Sequence, residues 1–440
     1  MIDGKDDGHL LRVLGVAFGV AVVVGGVVGQ GILRTPGVVA QGVPYPLLIL
    51  GVWALGGLIA WIDSMSTVEL AASIRKTGGP YSFAVRAFGR FPGLAVGITD
   101  WLANVGGIGF IAVVFGEYLH RLGIATAIPI GALAAAMVLA VGTIHWFGTR
   151  VGGRSQEIGS AVKAVLFLGL VAVLMLAPRG ESVATLSIGQ ITTGLTLSGV
   201  VVALRGVFGT YSGWNSAAYF CEEVRDPGKA IARATFSGIA LVTGLYLLVN
   251  IAFLNVLTPA EMAGSNLVAA DAAARIFGSA GDTVVTAVSL IALLTVTNAI
   301  IMVFPRVLFA VARDAGVQAL THVAANGTPR AALIVTVLAG ALLATVGVYE
   351  LLLAFSVSLL AAMGVAVNLA AIVLRVREPD LERPWRMPLF PLPAIFALIV
   401  NTALLVVFVQ EDPMTAARAF GLLAVLTGVG YLLTRRTSRV

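Results

Sequence analysis

The chain alternates long apolar runs with short polar breaks. Runs of about 20 residues match the length a helix needs to cross the hydrocarbon of a bilayer. Twelve such spans lie near 13–42, 46–72, 93–119, 125–146, 156–178, 197–224, 232–256, 280–312, 331–349, 351–374, 388–409 and 413–434. Little is left over for a soluble domain. The longest polar gap, roughly 256–280, holds a short helical pattern from Ala269 to Phe277, which predicts a surface helix. The pattern as a whole predicts an all-α integral membrane protein in a single transmembrane domain over 1–440.

Composition agrees. Hydrophobic residues make up 58% of the 440 residues and charged residues 11%, with a mean hydropathy of +0.98. A soluble domain carries about 25% charged residues, so a soluble enzyme is excluded. The net charge of +6 is a matter of topology. With the N-terminus inside, 21 of the 28 Lys and Arg fall on the cytoplasmic side, five on the other, and Lys163 and Arg205 within spans. That asymmetry places both termini in the cytoplasm and sets the basic excess against anionic lipid rather than nucleic acid. No cleavable leader is expected from the acidic, polar start Met1–Asp7. Four lysines against 24 arginines suit a GC-rich bacterial source.

Two spans are interrupted. The first carries Gly25-Gly26-Val27-Val28-Gly29-Gln30-Gly31, and the sixth carries Arg205 to Trp214 with Gly206, Gly209 and Gly213. Glycine weakens a helix by about 1 kcal/mol relative to alanine. An unwound stretch in lipid leaves backbone groups without water, which is tolerated only in a cavity or inside protein. Paired interruptions at corresponding places in two halves point to an inverted-repeat transporter with a midplane site. The repeats would be 13–178 (spans one to five) and 197–374 (spans six to ten), with 388–434 appended as spans eleven and twelve. Elsewhere, as at Gly56-Gly57 and Gly106 to Gly109, close helix packing accounts for the glycines.

A broken helix offers a site made of backbone. The amides that begin a second half-helix, with its dipole, attract a carboxylate. Carbonyls at the ends of the first halves attract an ammonium. One small zwitterion fits between them. Lys163 is the only charge from Ile158 to Pro178; such a residue is expensive and functional by default, with snorkelling to the interface as the plain alternative. Asp63, Asp100, Glu117 and Arg205 also fall within spans and are expected to find partners, since an unpaired buried charge is costly. Asn104 and Asn298 either reach the cavity or bond helix to helix.

At Gly29-Gln30-Gly31-Ile32-Leu33-Arg34-Thr35-Pro36 the sequence resembles the first-helix motif of the amino acid–polyamine–organocation superfamily. Tyr211-Ser212-Gly213-Trp214, running into Glu222 to Pro227, is similar to the sixth-helix motif of its L-type amino acid transporter branch. Glu69-Leu70-Ala71, Gly78 to Tyr81, Lys163, Pro305 to Leu308 and Ala312 to Asp314 sit where that family has similar residues. The resemblance covers essentially the whole chain. It implies a LeuT-like 5+5 inverted repeat with discontinuous first and sixth helices. It places the substrate carboxylate at Gln30 and Gly31 and the amino group at carbonyls near Val27 and at Gly209, Thr210 and Tyr211, with Gly29 in the first break. It gives Lys163 the place that a cation holds in sodium-coupled relatives. Two departures stand out. Gln30 replaces a usual Ser or Ala. Gly209 occupies the place of the gating aromatic, so either Phe208 gates through a local shift or the gate is reduced. Glu222 and Glu223 read as a cytoplasmic gate or as a solvated helix end.

The implied function is sodium-independent secondary transport of small to medium neutral L-amino acids, as a permease or antiporter. A polyamine or cationic amino acid carrier would favour an acidic residue in the pocket, and neither break contains one. A non-transporting amino acid sensor would share the same sequence. No enzyme is expected: His9, His120, His145 and His322 are scattered, with no HExxH spacing, no Gly-x-Ser-x-Gly elbow and no phosphate loop. No cofactor, metal or catalytic residue is expected. The animal L-type branch pairs with a glycoprotein through an extracellular cysteine. The single cysteine, Cys221, is predicted in the cytoplasmic half, so no disulfide-linked heavy subunit is expected.

Overall fold

A computed structural model describes residues 16–76, 78–178, 195–221 and 227–437. The chain enters as α1 (Val16–Val27) and α2 (Gln30–Gly42), followed by α3 (Pro46–Ser73), α4 (Pro80–Phe88), α5 (Arg90–Arg121), α6 (Ile130–Trp146) and α7 (Thr149–Leu176). The second stretch runs through α8 (Leu197–Tyr211), a 3-10 segment Trp214–Phe220, α9 (Pro227–Val256), α10 (Pro259–Ala263), α11 (Val268–Phe277), α12 (Ser279–Ala315), α13 (Arg330–Ala344) and α14 (Tyr349–Arg377). Two helices close the chain, α15 (Leu392–Glu411) and α16 (Pro413–Thr437).

Eight of these are long and apolar enough to cross a membrane: α3, α5, α7, α9, α12, α14, α15 and α16. The apolar helices α6 and α13 are shorter. Helix is what the sequence must form here, because only intrahelical bonds satisfy every backbone group in hydrocarbon. Burial separates centre from periphery. In α5, 89% of the apolar window is buried inside the protein, against 17% in α16. α5 is therefore the central post, packed against α12, α13 and α14, while α15 and α16 lie on the outside.

Glycine permits the closest approaches. A Cβ on Gly42 would stand 2.1 Å from the Gly199 carbonyl oxygen, so the end of α2 and the start of α8 meet backbone to backbone. Small residues at such crossings let helices gain dispersion contacts in lipid. On the cytoplasmic side of the predicted topology, Glu69 at the end of α3 accepts two 2.6 Å bonds from Arg375 of α14. It also accepts from the Met387 amide at 2.7 Å and pairs with Arg383 at 3.3 Å. This carboxylate is 3% exposed and ties α3, α14 and the turn before α15 together.

The predicted surface helix is present as α11, preceded by α10, where Thr258 and Glu261 cap each other reciprocally. α4 was not among the predicted elements. It is only nine residues long, too short to register as an apolar span. The fifth span begins at Thr149 rather than near 156, because a helix continues beyond hydrocarbon wherever caps and packing allow.

Gly42→Val should force α2 and α8 apart. Overpacking of this kind costs about 1–3 kcal/mol, so the detergent-solubilised variant is expected to unfold at a lower temperature than Gly421→Val, whose site on α16 has open space.

Candidate substrate site

Both expected interruptions are present. α1 ends at Val27 and α2 starts at Gln30, which leaves Val28 and Gly29 outside regular helix. α8 ends at Tyr211, and the chain turns at Ser212 and Gly213 before the 3-10 segment. Gly213 has φ +103°, a left-handed conformation that suits a residue without Cβ. The second break thus sits at the far edge of the predicted stretch, and Gly209, Thr210 and Tyr211 form the last turn of α8.

The carbonyls exposed by these breaks have partners within the protein. The Lys163 ammonium donates to the Gly25 carbonyl at 2.9 Å and also to that of Val28. Lys163 is 2% exposed, so its charge is buried against the unwound turn rather than extended to the interface. The Tyr246 hydroxyl, from α9, donates to the Val27 carbonyl at 2.8 Å and lies 3.4 Å from that of Thr210. One phenol therefore bridges the two breaks. The Ser212 hydroxyl donates to the Gly209 carbonyl at 2.6 Å. Each such group left alone in hydrocarbon would cost several kcal/mol.

Three aromatic rings hold this arrangement. Trp53 and Tyr211 each pack edge-on against Tyr246, both with ring centroids at 5.2 Å. The Tyr211 hydroxyl donates to the Trp53 carbonyl at 3.0 Å. Edge-to-face pairs of this kind add to simple burial. α2 and α8 are joined by the hydroxyls of Thr35 and Thr210 at 2.8 Å. A Cβ on Gly31 would lie 2.3 Å from the Thr210 methyl. Gly29 is equally tight against Val296 of α12. These two glycines let three helices converge on the first break.

The residues proposed from sequence to hold substrate divide into three groups. Val27, Gly209 and Thr210 line a cavity of about 40 Å³ together with Asn104, Ser216 and Ser356. That space admits roughly three waters, so an amino acid needs the cavity to open. Gly29 and Gly31 pack behind it, and the N-terminus of α2 that they introduce carries no side-chain cap. Phe208 and Tyr211 face a second, larger cavity, where Phe208 packs against Phe408 of α15 at 5.9 Å. The Gln30 side chain lies outside what the structure describes, as do the gate candidates Glu222 and Glu223.

The other charges within spans have partners. Arg34 binds Glu117 of α5, donates to Glu350 of α14 at 2.9 Å and lies 4.0 Å over the Tyr349 ring. Arg205 meets Glu411 at 2.9 Å. Asp100 accepts from the Tyr219 hydroxyl at 2.8 Å to both oxygens. Asn104 lines the small cavity while its amide donates to the Asp100 carbonyl at 2.8 Å. Asn298 bonds helix to helix, donating to Gln156 of α7 at 2.8 Å.

Sequence reasoning did not single out Tyr246. The available signal was a lone tyrosine in an aliphatic span, whose hydroxyl must find an acceptor once removed from water. Among the described residues, no group of three or more His, Cys, Asp or Glu could hold a metal ion.

A bundle of apolar helices, two of them cut at mid-course beside a small cavity, defines a polytopic membrane protein. The family model for amino acid permeases matches residues 14–429, and the chain belongs to that family within the amino acid–polyamine–organocation superfamily. It is 30% identical over 445 residues to the large neutral amino acids transporter small subunit 2 of Mus musculus, covering 96% of this chain and 80% of that one. It is 27% identical over 411 residues to the mouse b(0,+)-type amino acid transporter 1, covering 91% and 84%. It is 25% identical over 403 residues to the serine/threonine exchanger SteT of Bacillus subtilis (strain 168), covering 89% and 90%. These relatives are transporters and exchangers, not enzymes.

Tyr246→Phe removes the donor shared by the two breaks and leaves the Val27 carbonyl unpaired. An unsatisfied buried acceptor costs about 1–3 kcal/mol. A lowered unfolding temperature in detergent, relative to the unsubstituted protein, is therefore expected.

Proposed function

We propose that the chain is a sodium-independent secondary transporter that moves small to medium neutral L-amino acids across the cytoplasmic membrane by alternating access. The observation that carries this reading is the Lys163 ammonium lodged among the carbonyls of the unwound turn at Gly25 and Val28. A fixed positive charge stands there in the place the resemblance assigns to a bound cation. Exchange or proton coupling would then drive uptake. The amides beginning α2, at Gln30 and Gly31, would receive the substrate carboxylate. The carbonyls of Val27, Gly209, Thr210 and Tyr211 would receive its ammonium, with Tyr246 moving aside from Val27 as the cavity opens.

The eight long helices, the two shorter ones and the two interrupted segments are read as twelve crossings, arranged as a five-helix repeat, its inverted copy and two more helices. The basic asymmetry puts both termini in the cytoplasm of a bacterial cell. With Phe208 turned toward Phe408, the reduced gate at Gly209 is the preferred alternative, and Glu222 and Glu223 are kept as cytoplasmic gate residues. Neutral substrates are preferred over cationic ones because no Asp or Glu lines the small cavity among the described residues. One relative is named as a small subunit; for this chain we propose no disulfide-linked partner, since Cys221 is buried and predicted on the cytoplasmic half.

Counterflow in proteoliposomes tests the reading. Labelled neutral amino acid should accumulate against an unlabelled internal pool at equal rates in sodium and in choline media, and Lys163→Ala should reduce that rate at least tenfold. Uptake that collapses without sodium overturns the coupling claim. Binding without exchange makes the chain a sensor, and competition by cationic amino acids or polyamines alone overturns the substrate class.

A further inference from the structure

The larger cavity, about 210 Å³, lies between α3, α8, α14 and α15. Its walls are mostly apolar, with Ile59, Val207, Phe208, Leu360 and Leu404 among them. Leu55 and Ala403, both exposed, stand on its lining, so it opens toward the protein's outer face. In this setting Asp63 is out of place. Asn368 and Asn401 each donate an amide to the same Asp63 oxygen, Oδ1, at 2.6 and 3.1 Å. No Lys, Arg or His pairs with Asp63 among the described residues. A carboxylate in a membrane interior without a cation is expensive.

A second observation points the same way. Asn401 is 1% exposed, lines the cavity, and has a buried Oδ1 with no hydrogen-bond partner. A buried amide oxygen without a donor is uncommon and costly. The cavity wall thus carries Asp63, which has no cation, and beside it Asn401, whose Oδ1 has no donor. Trp214, Phe208 and Tyr211 add aromatic surface to the same lining, which suits a cation.

We infer that this cavity is a ligand site for a small primary amine with an apolar body, its ammonium received by Asp63 and Asn401. The ammonium brings a positive charge and three donors with no acceptor, which matches a carboxylate without a cation and an amide oxygen without a donor. The apolar body replaces water or lipid along the α3, α8 and α15 walls. The site adjoins the backbone site at the second break, sharing Asn104, Ser212, Gly213 and Leu360 with the small cavity, and differs from it in that the ammonium is received by side chains. The two groups that single out this cavity, Asp63 and the Asn401 Oδ1, are both acceptors, which an amine satisfies and a carboxylate does not.

The test uses the purified full-length protein in detergent and 2-phenylethylamine as probe, with 2-phenylethanol as its uncharged counterpart. The amine should raise the unfolding temperature in a saturable way and the alcohol should not. Asp63→Asn should weaken amine binding about tenfold or more, as expected for losing a hydrogen bond to a charged group. Ala403→Trp, which narrows the cavity from its exposed wall and leaves Asp63 in place, should weaken it as well. An equal effect of amine and alcohol, undiminished binding in Asp63→Asn, or displacement of the amine by excess L-leucine overturns the proposal. If Asp63→Asn does not purify, Ala403→Trp decides alone, and unchanged amine binding there overturns it. The readout involves no transport, so it stands or falls separately from the transport reading.

Discussion

A backbone that leaves helical geometry inside a bilayer must find new partners for its polar groups, because lipid supplies none. The site of this permease is organised around that requirement. Lys163 satisfies the carbonyls of Gly25 and Val28 with one ammonium. Tyr246 reaches Val27 and approaches Thr210 with one hydroxyl. The aromatic packing of Trp53 and Tyr211 against Tyr246, and the glycines that let α2 approach α8 and α12, serve to keep those two donors in place. Part of the hydrogen-bonding capacity of the two breaks is therefore already taken up within the protein.

On the proposed function, this arrangement would make ligand binding an exchange of partners. A zwitterion entering at Val27 and Thr210 would compete with a phenol that can retreat into an apolar span. It would not have to displace the buried Lys163, whose ammonium binds two carbonyls at once. The two internal donors therefore differ in how easily they yield. The hydroxyl is neutral, and losing one bond costs little if another is gained. The ammonium cannot leave without exposing both its own charge and two carbonyls.

Much of this was legible in the sequence. Apolar runs and glycine-rich interruptions announce themselves because lipid imposes a minimum length and punishes broken backbone. Lys163 stood out as the only charge from Ile158 to Pro178. Three features were hidden. The break after α8 falls at Ser212-Gly213, fixed by the left-handed conformation of Gly213, whereas several neighbouring glycines looked equally eligible. The role of Tyr246 depends on a contact 219 residues away in the chain. The union of Arg34 with Glu117 and Glu350 spans 83 and 316 residues. Local pattern carries no trace of such distant partners.

The pairing of half-helices has a mechanical consequence. The second half of the first span, α2, is bound to α8 by Thr35, Gly31 and Gly42. The first half, α1, packs instead on α9 and on the 3-10 segment beyond Gly213. Two covalently continuous spans are thereby sorted into upper and lower pairs, each pair drawn from both spans. The packing at the breaks follows position along the bundle and not order along the chain. On the proposed function, Val28-Gly29 and Ser212-Gly213 would be twin hinges, about which one pair and then the other would tilt while the ligand stayed where it was.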